Sequence, residues 1–182
     1  MANADDPPRS MRTRAQLQAA VRRLLTEREP LTFARVAQAA GGVNRSTVHQ
    51  HYANLRELIC DALIDDLRAL VEPFGDCPFA DPTQTPPELT AVFTIARNQA
   101  DLWACLTEAE TEAATARLQH LLTEQLTDRF RAGARPPGYD RVPPEIHARW
   151  IAGGLTALLT GDTDLDPAER ADQAWALITG PA

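Results

Sequence analysis

Thr32-Phe33-Ala34-Arg35-Val36-Ala37-Gln38-Ala39-Ala40-Gly41-Gly42-Val43-Asn44-Arg45-Ser46-Thr47-Val48-His49-Gln50-His51-Tyr52 is the stretch on which the fold turns. Two short amphipathic segments flank Gly41-Gly42-Val43-Asn44. Thr32 opens the first, with Phe33, Val36, Ala37 and Ala40 on its inner side. The glycines permit positive φ and stop that segment. Val43 is a small apolar plug, and Asn44 is a favoured N-cap for the second segment. There Val48 and Tyr52 face the core, leaving a row of donors and acceptors from Arg45 to His51. This is a helix-turn-helix pattern. The row has the reach of phosphate oxygens and base edges.

Outward from this stretch, apolar residues recur at i, i+3, i+4 and i+7, and no segment sustains a period of two. The expected fold is all-α, with about nine helices. Ser10 is the expected N-cap of the first helix, which carries Leu17, Val21 and Leu24 and ends at Pro30. A fourth helix is expected from Asn54 to Pro73. Residues 73–87 hold five prolines and a glycine and read as a loop. Thr85-Pro86-Pro87-Glu88 reads as a capping start for the fifth helix. A short turn at Asp101–Leu106 precedes a long helix through Phe130, and Gly133 to Pro144 is a further loop. Asp166-Pro167-Ala168-Glu169 is a second capping-box start, for the last helix. Residues 1–56 are read as the helix-turn-helix domain and 57–182 as a regulatory and dimerisation domain.

Charge is divided in the same way. The 182 residues carry a net −7. Residues 1–60 nevertheless hold nine Arg against five carboxylates, a net +4, leaving −11 for the remainder. A basic head on an acidic body keeps phosphate attraction local. No apolar run approaches the roughly 20 residues that span a bilayer. The polar start, Met1 to Ser10, has no apolar core of a signal peptide, so a cytoplasmic protein without membrane attachment is expected. Cys60, Cys77 and Cys105 are odd in number and widely spaced, which argues against a disulfide framework and a CxxC-type zinc site. His49 and His51 project about 200° apart on a helix and cannot share a metal ion. Asp65-Asp66 and Glu108/Glu110/Glu112 read as solvated acidic faces, because no histidine or nucleophile pattern accompanies them. No enzyme, metal or cofactor is expected.

From Thr13 to about Leu63 the sequence resembles the tetracycline-repressor (TetR) family of regulators. The resemblance is carried by Leu31-Thr32, Val36-Ala37, Ala40-Gly41, and Arg45-Ser46-Thr47-Val48 through His51-Tyr52. The turn has one more glycine than that family's usual form, His49 stands where a Tyr is usual, and Leu55 where a Lys is usual, with Arg56 one place on. The resemblance implies that Thr32, Arg35, Thr47, His49 and Arg56 position the DNA backbone. Arg45, Ser46, Gln50 and His51 are implied for base edges, and the stretch's ends, Asn44 and Tyr52, complete the DNA-binding set. Arg45 suits guanine and Gln50 adenine. Arg9, Arg12 and Arg14 are expected to form a flexible basic arm.

In such proteins the middle helices enclose a ligand and the last two form a dimer bundle. Phe93, Trp103, His120 and Trp150 are the aromatic candidates for lining a pocket, and Arg97 for orienting a polar group of a small effector. Trp150, Leu155, Leu158, Trp175 and Ile178, beside Gly153-Gly154, are the candidate homodimer seam. A symmetric dimer would present two reading helices about 34 Å apart to a palindrome in double-stranded DNA. The alternative is a helix-turn-helix regulator with no small-molecule ligand, controlled by a partner protein or by abundance.

Overall fold

A computed structural model describes residues 8–161 and 164–180. The polar segment read at the start of the chain lies, through residue 7, outside the described residues. Among those described there is no strand. The helices are α1 (Pro8–Thr26), α2 (Phe33–Ala39), α3 (Arg45–His51), α4 (Leu55–Ala62), α5 (Ile64–Ala69), α6 (Pro87–Asn98), α7 (Ala100–Ala104), α8 (Glu108–Arg131), α9 (Pro144–Thr160) and α10 (Pro167–Thr179), with one 3-10 turn at Glu72–Gly75. None is long and apolar enough to cross a membrane.

Several boundaries differ from expectation for identifiable reasons. Ser10 is not an N-cap, because α1 already runs from Pro8. The fourth helix breaks at Leu63 into α4 and α5 (φ −95°, ψ 4°). Ala62-Leu63-Ile64 keeps its apolar spacing across the break, so periodicity does not reveal it. Thr85 does not cap α6: the N-cap position is Pro86, and Pro87 is the first helical residue. Asp101–Leu106 is mostly the short helix α7 rather than a turn. Glu110 is buried rather than solvated, and its carboxylate accepts from the Thr107 amide at 2.8 Å. Asp166 caps α10 as expected: its side chain accepts from the amides of Ala168 and Glu169, and Glu169 returns the bond to the Asp166 amide.

The described chain gathers into two compact units. The first comprises the chain up to Asp65 together with Asp101–Ala114. Here α1 packs on α2 and α4, and α2 on α3. Leu17, Val21, Leu24 and Leu25, at helical spacing on α1, are buried with Val36, Val48, Leu58 and Ile59. Each such side chain contributes about 1.5–3 kcal/mol of burial.

The second unit comprises Asp66–Ala100 and the chain from Thr115 onward. Its α10 packs chiefly on α6 and also meets α9. Phe79 is the centre of an aromatic group, with Phe130 edge-on at 5.5 Å, Trp175 at 6.0 Å and Phe74 at 6.3 Å. Leu89, Val92, Leu118, Leu122 and Leu126 complete this core. Burial pushes the nearby Cys77 thiol up to about 12, so it stays a protonated apolar filler.

Candidate nucleic-acid interface

The turn between α2 and α3 is built from its two glycines. Gly41 and Gly42 adopt φ of +87° and +79°, a region an L side chain enters at a cost. Their amides both return to the Gln38 carbonyl at 3.2 and 3.3 Å, closing the end of α2. The start of α2 is closed by Thr32, whose hydroxyl accepts from the Arg35 amide at 3.2 Å. The start of α3 is closed by Asn44, whose side chain accepts from the Ser46 amide at 3.0 Å. The turn therefore holds both glycines while α3 keeps its cap and its buried pair, Val48 and Tyr52.

That pair turns the opposite face of α3 outward. Arg45, Ser46, His49 and Gln50 are exposed, and Thr47 and His51 half-buried. His49 is not loose: its ring stands edge-on to Phe33 of α2 at 4.6 Å. Tyr52 is excluded from the exposed row, being 1% exposed, with its hydroxyl donating to Asp61. Burial first, and then the Asp61 carboxylate, hold that hydroxyl well above its usual phenol range.

Two of the arginines assigned to the DNA backbone are ion-paired within the protein. Arg35 meets Glu29, and Arg56 meets Glu112 at 3.6 Å, all on exposed side chains. Such exposed pairs are worth at most about 1 kcal/mol, and a phosphate can replace the carboxylate. Arg9, Arg12 and Arg14 do not form a flexible arm, since all three lie on α1. Arg9 and Arg12 are exposed, whereas Arg14 donates to Asp61 at 2.9 Å. Nothing in the sequence spacing joins Arg14 to Asp61, 47 residues on, because only the packing of α1 on α4 brings them together.

The residues assigned to an effector are divided between the two units and differ in burial. Phe93 is fully buried on α6, with the Arg170 guanidinium 5.4 Å from its ring centroid. Trp103 is half-buried on α7, in the first unit. His120 is exposed on α8 and faces Glu124 at 3.5 Å, and Arg97 is exposed.

Of the assigned dimer residues, Trp175 lies inside its own unit, 4% exposed against Phe79. Trp150, Leu155, Leu158 and Ile178 instead line one apolar groove of about 420 Å³ along α9 and α10. Trp150 is 58% exposed and Leu177, which the sequence reading passed over, 65%. The exposed Ile146 and Trp150, with Gly154 and Leu158, follow at intervals of four on α9.

No family model and no curated relative matches the sequence. Solved structures do. The chain is similar to the TetR-family repressor AlkX from Dietzia sp. strain DQ12-45-1b, implicated in biodegradation of n-alkanes. The TM-score is 0.60 at 18% identity, covering 91% of this chain and 92% of that one. It is also similar to the fatty acid degradation regulator FadR from Bacillus halodurans, with a TM-score of 0.52 at 15% identity over 93% and 95% of the two chains. FadR from Bacillus subtilis, solved in complex with stearoyl-CoA, gives 0.51 at 14% identity over 92% and 98%. At these identities the likeness is one of fold: the described chain has the all-α architecture of the TetR-family repressor AlkX and of the two FadR regulators.

Proposed function

We propose that the protein is a DNA-binding transcriptional repressor, acting as a homodimer on a palindromic operator and released by a small, largely apolar effector. The observation that carries this reading is α3. It is a seven-residue helix, too short to be stable by propensity alone, yet capped, seated on two buried side chains and faced with Arg45, Ser46, His49 and Gln50. That arrangement is suited to a DNA groove, with Arg45 and Gln50 as the base-reading side chains. Thr47 and His51 on the same helix, with Thr32, Arg35 and Arg56 outside it, are the further donors assigned to backbone and base edges.

The exposed apolar groove of α9 and α10 supports the dimer. Large contiguous apolar patches are uncommon on monomers, and Trp150 with Leu177 supplies the aromatic and aliphatic anchors that interfaces favour. The stearoyl-CoA bound by B. subtilis FadR, in a similar fold, supports an apolar effector. An effector acts by binding one of two states better than the other.

Selection of bound duplexes from a random DNA pool, followed by anisotropy titration at two salt concentrations, tests the reading. A palindromic winner bound about 10³-fold above scrambled DNA supports it. Absence of any enriched site, with weak binding lost in salt, rejects it. Thermal-shift screening of acyl and alkyl compounds tests the effector, since a ligand of the folded state raises the unfolding temperature.

A further inference from the structure

We propose that Asp61 is a positioning residue for the reading helix, its carboxylate fastening the end of α3 and the N-terminal half of α1 to α4 so that they meet DNA as one rigid surface. The inference rests on the DNA-binding reading above. One oxygen, Asp61 Oδ2, accepts from Arg14 Nε at 2.9 Å, from Gln18 Nε2 at 2.9 Å and from the Tyr52 hydroxyl. Gln18 Nε2 also reaches the Asp61 carbonyl at 3.3 Å. The Arg14 guanidinium lies 5.6 Å from the Tyr52 ring centroid, which closes the cluster. Three helices thus converge on a single carboxylate.

Tyr52 is the C-cap residue of α3. A helix of two turns has little stiffness of its own, so its direction is set where it is anchored. Val48 anchors it by packing alone, which permits sliding. The Tyr52 hydroxyl adds a directed, charge-assisted bond in a half-buried site, where such bonds are stronger than in water. Arg14 is drawn into the same cluster, so its charge is spent on Asp61 rather than on phosphate. Arg9 and Arg12, exposed on the preceding turns of α1, are carried along by that anchor.

The test compares full-length wild type with Tyr52→Phe, Asp61→Ala and Asp61→Asn, in two measurements. The first is amide hydrogen exchange over residues 45–52, which needs no DNA. The second is the ratio of affinities for the selected and a scrambled duplex, across a salt series. Tyr52→Phe is expected to speed exchange and to lower the ratio, each about tenfold, without changing the salt slope, because no charge is altered. Asp61→Ala is expected to do the same and, by freeing Arg14, to tighten scrambled binding and steepen the log–log salt slope by about 0.9. Asp61→Asn, which keeps an acceptor for Tyr52, should recover most of the ratio but retain the steeper slope. Folded variants with unchanged exchange and unchanged ratio overturn the proposal; a loss of thermal stability alone does the same. Should Asp61→Ala not fold, Tyr52→Phe decides. Should wild type select no duplex, the DNA-binding reading fails, while the exchange data still judge the anchor.

Discussion

Under the proposed reading, Arg45 and Arg56 would give up different things on meeting DNA. Arg45 is exposed on the outer face of α3, whereas Arg56 is paired with Glu112 and would have to leave it. Arg45→Ala is expected to cost about 1–3 kcal/mol at a single base position and to relax preference there. Arg56→Ala should weaken all sequences alike and reduce the salt slope by about 1. Anisotropy against single-base variants of the selected site separates the two. A different kind of residue is His147, buried on α9. Its Nδ1 accepts from Arg135 Nε at 3.1 Å, and its ring stacks on Tyr139 at 4.0 Å. Burial and the Arg135 charge lower its pKa to about 4. The unfolded chain takes up this proton near pH 6.5, so the folded state is favoured in full above about 6.5. That stability is lost as the pH falls from there toward 4. Urea titrations of wild type and His147→Gln at pH 7, 6 and 5 should show their stability difference shrinking, by at most about 1.4 kcal/mol per pH unit.

At the scale of elements, the helix-turn-helix was legible because its signals are local. Thr32, Gly41, Gly42 and Asn44 act on backbone within four residues of themselves, and each does in the structure what its chemistry suggests. Asp166 and Glu169 are local in the same sense. The turn makes a direct prediction. A Cβ on Gly42 meets nothing within 4 Å, so Gly42→Ala carries only the backbone penalty of a left-handed residue, about 1–2 kcal/mol. Chemical denaturation measures it, and a neutral result would mean that the turn relaxes freely. What the sequence concealed was long-range. The break at Leu63, the seating of Trp175 against Phe79, and the meeting of Arg14 with Asp61 depend on which helices pack together, and apolar spacing does not encode that choice. The basic arm is not flexible because α1 begins at Pro8 and carries all three arginines, and a run of charge does not show the helix that holds it.

For the whole molecule, the division of charge and the apolar groove bear on assembly. Under the proposed reading, the net +4 over residues 1–60, against −11 over the remainder, would direct phosphate attraction to the helix-turn-helix segment. The groove on α9 and α10 gives the body a reason to pair. Trp150→Glu with Leu177→Glu should shift the protein toward monomer in analytical ultracentrifugation and remove the advantage of a palindrome over a half-site. Persistence of the dimer would move the seam elsewhere. The ligand residues were the least legible part, since a pocket is the space left by packing and no spacing rule specifies it.

The exposure of Trp150 has an optical consequence. The other two tryptophans are more sheltered, Trp175 at 4% exposure and Trp103 half-buried, so the long-wavelength edge of the emission spectrum belongs mainly to Trp150. If its indole leaves water when two copies meet, the spectrum should shift to the blue with rising concentration, and acrylamide should quench it less. Replacing Trp150 by Phe should abolish both changes. The chain thus carries a built-in fluorophore on the face in question, and dilution in a cuvette becomes a label-free gauge of self-association.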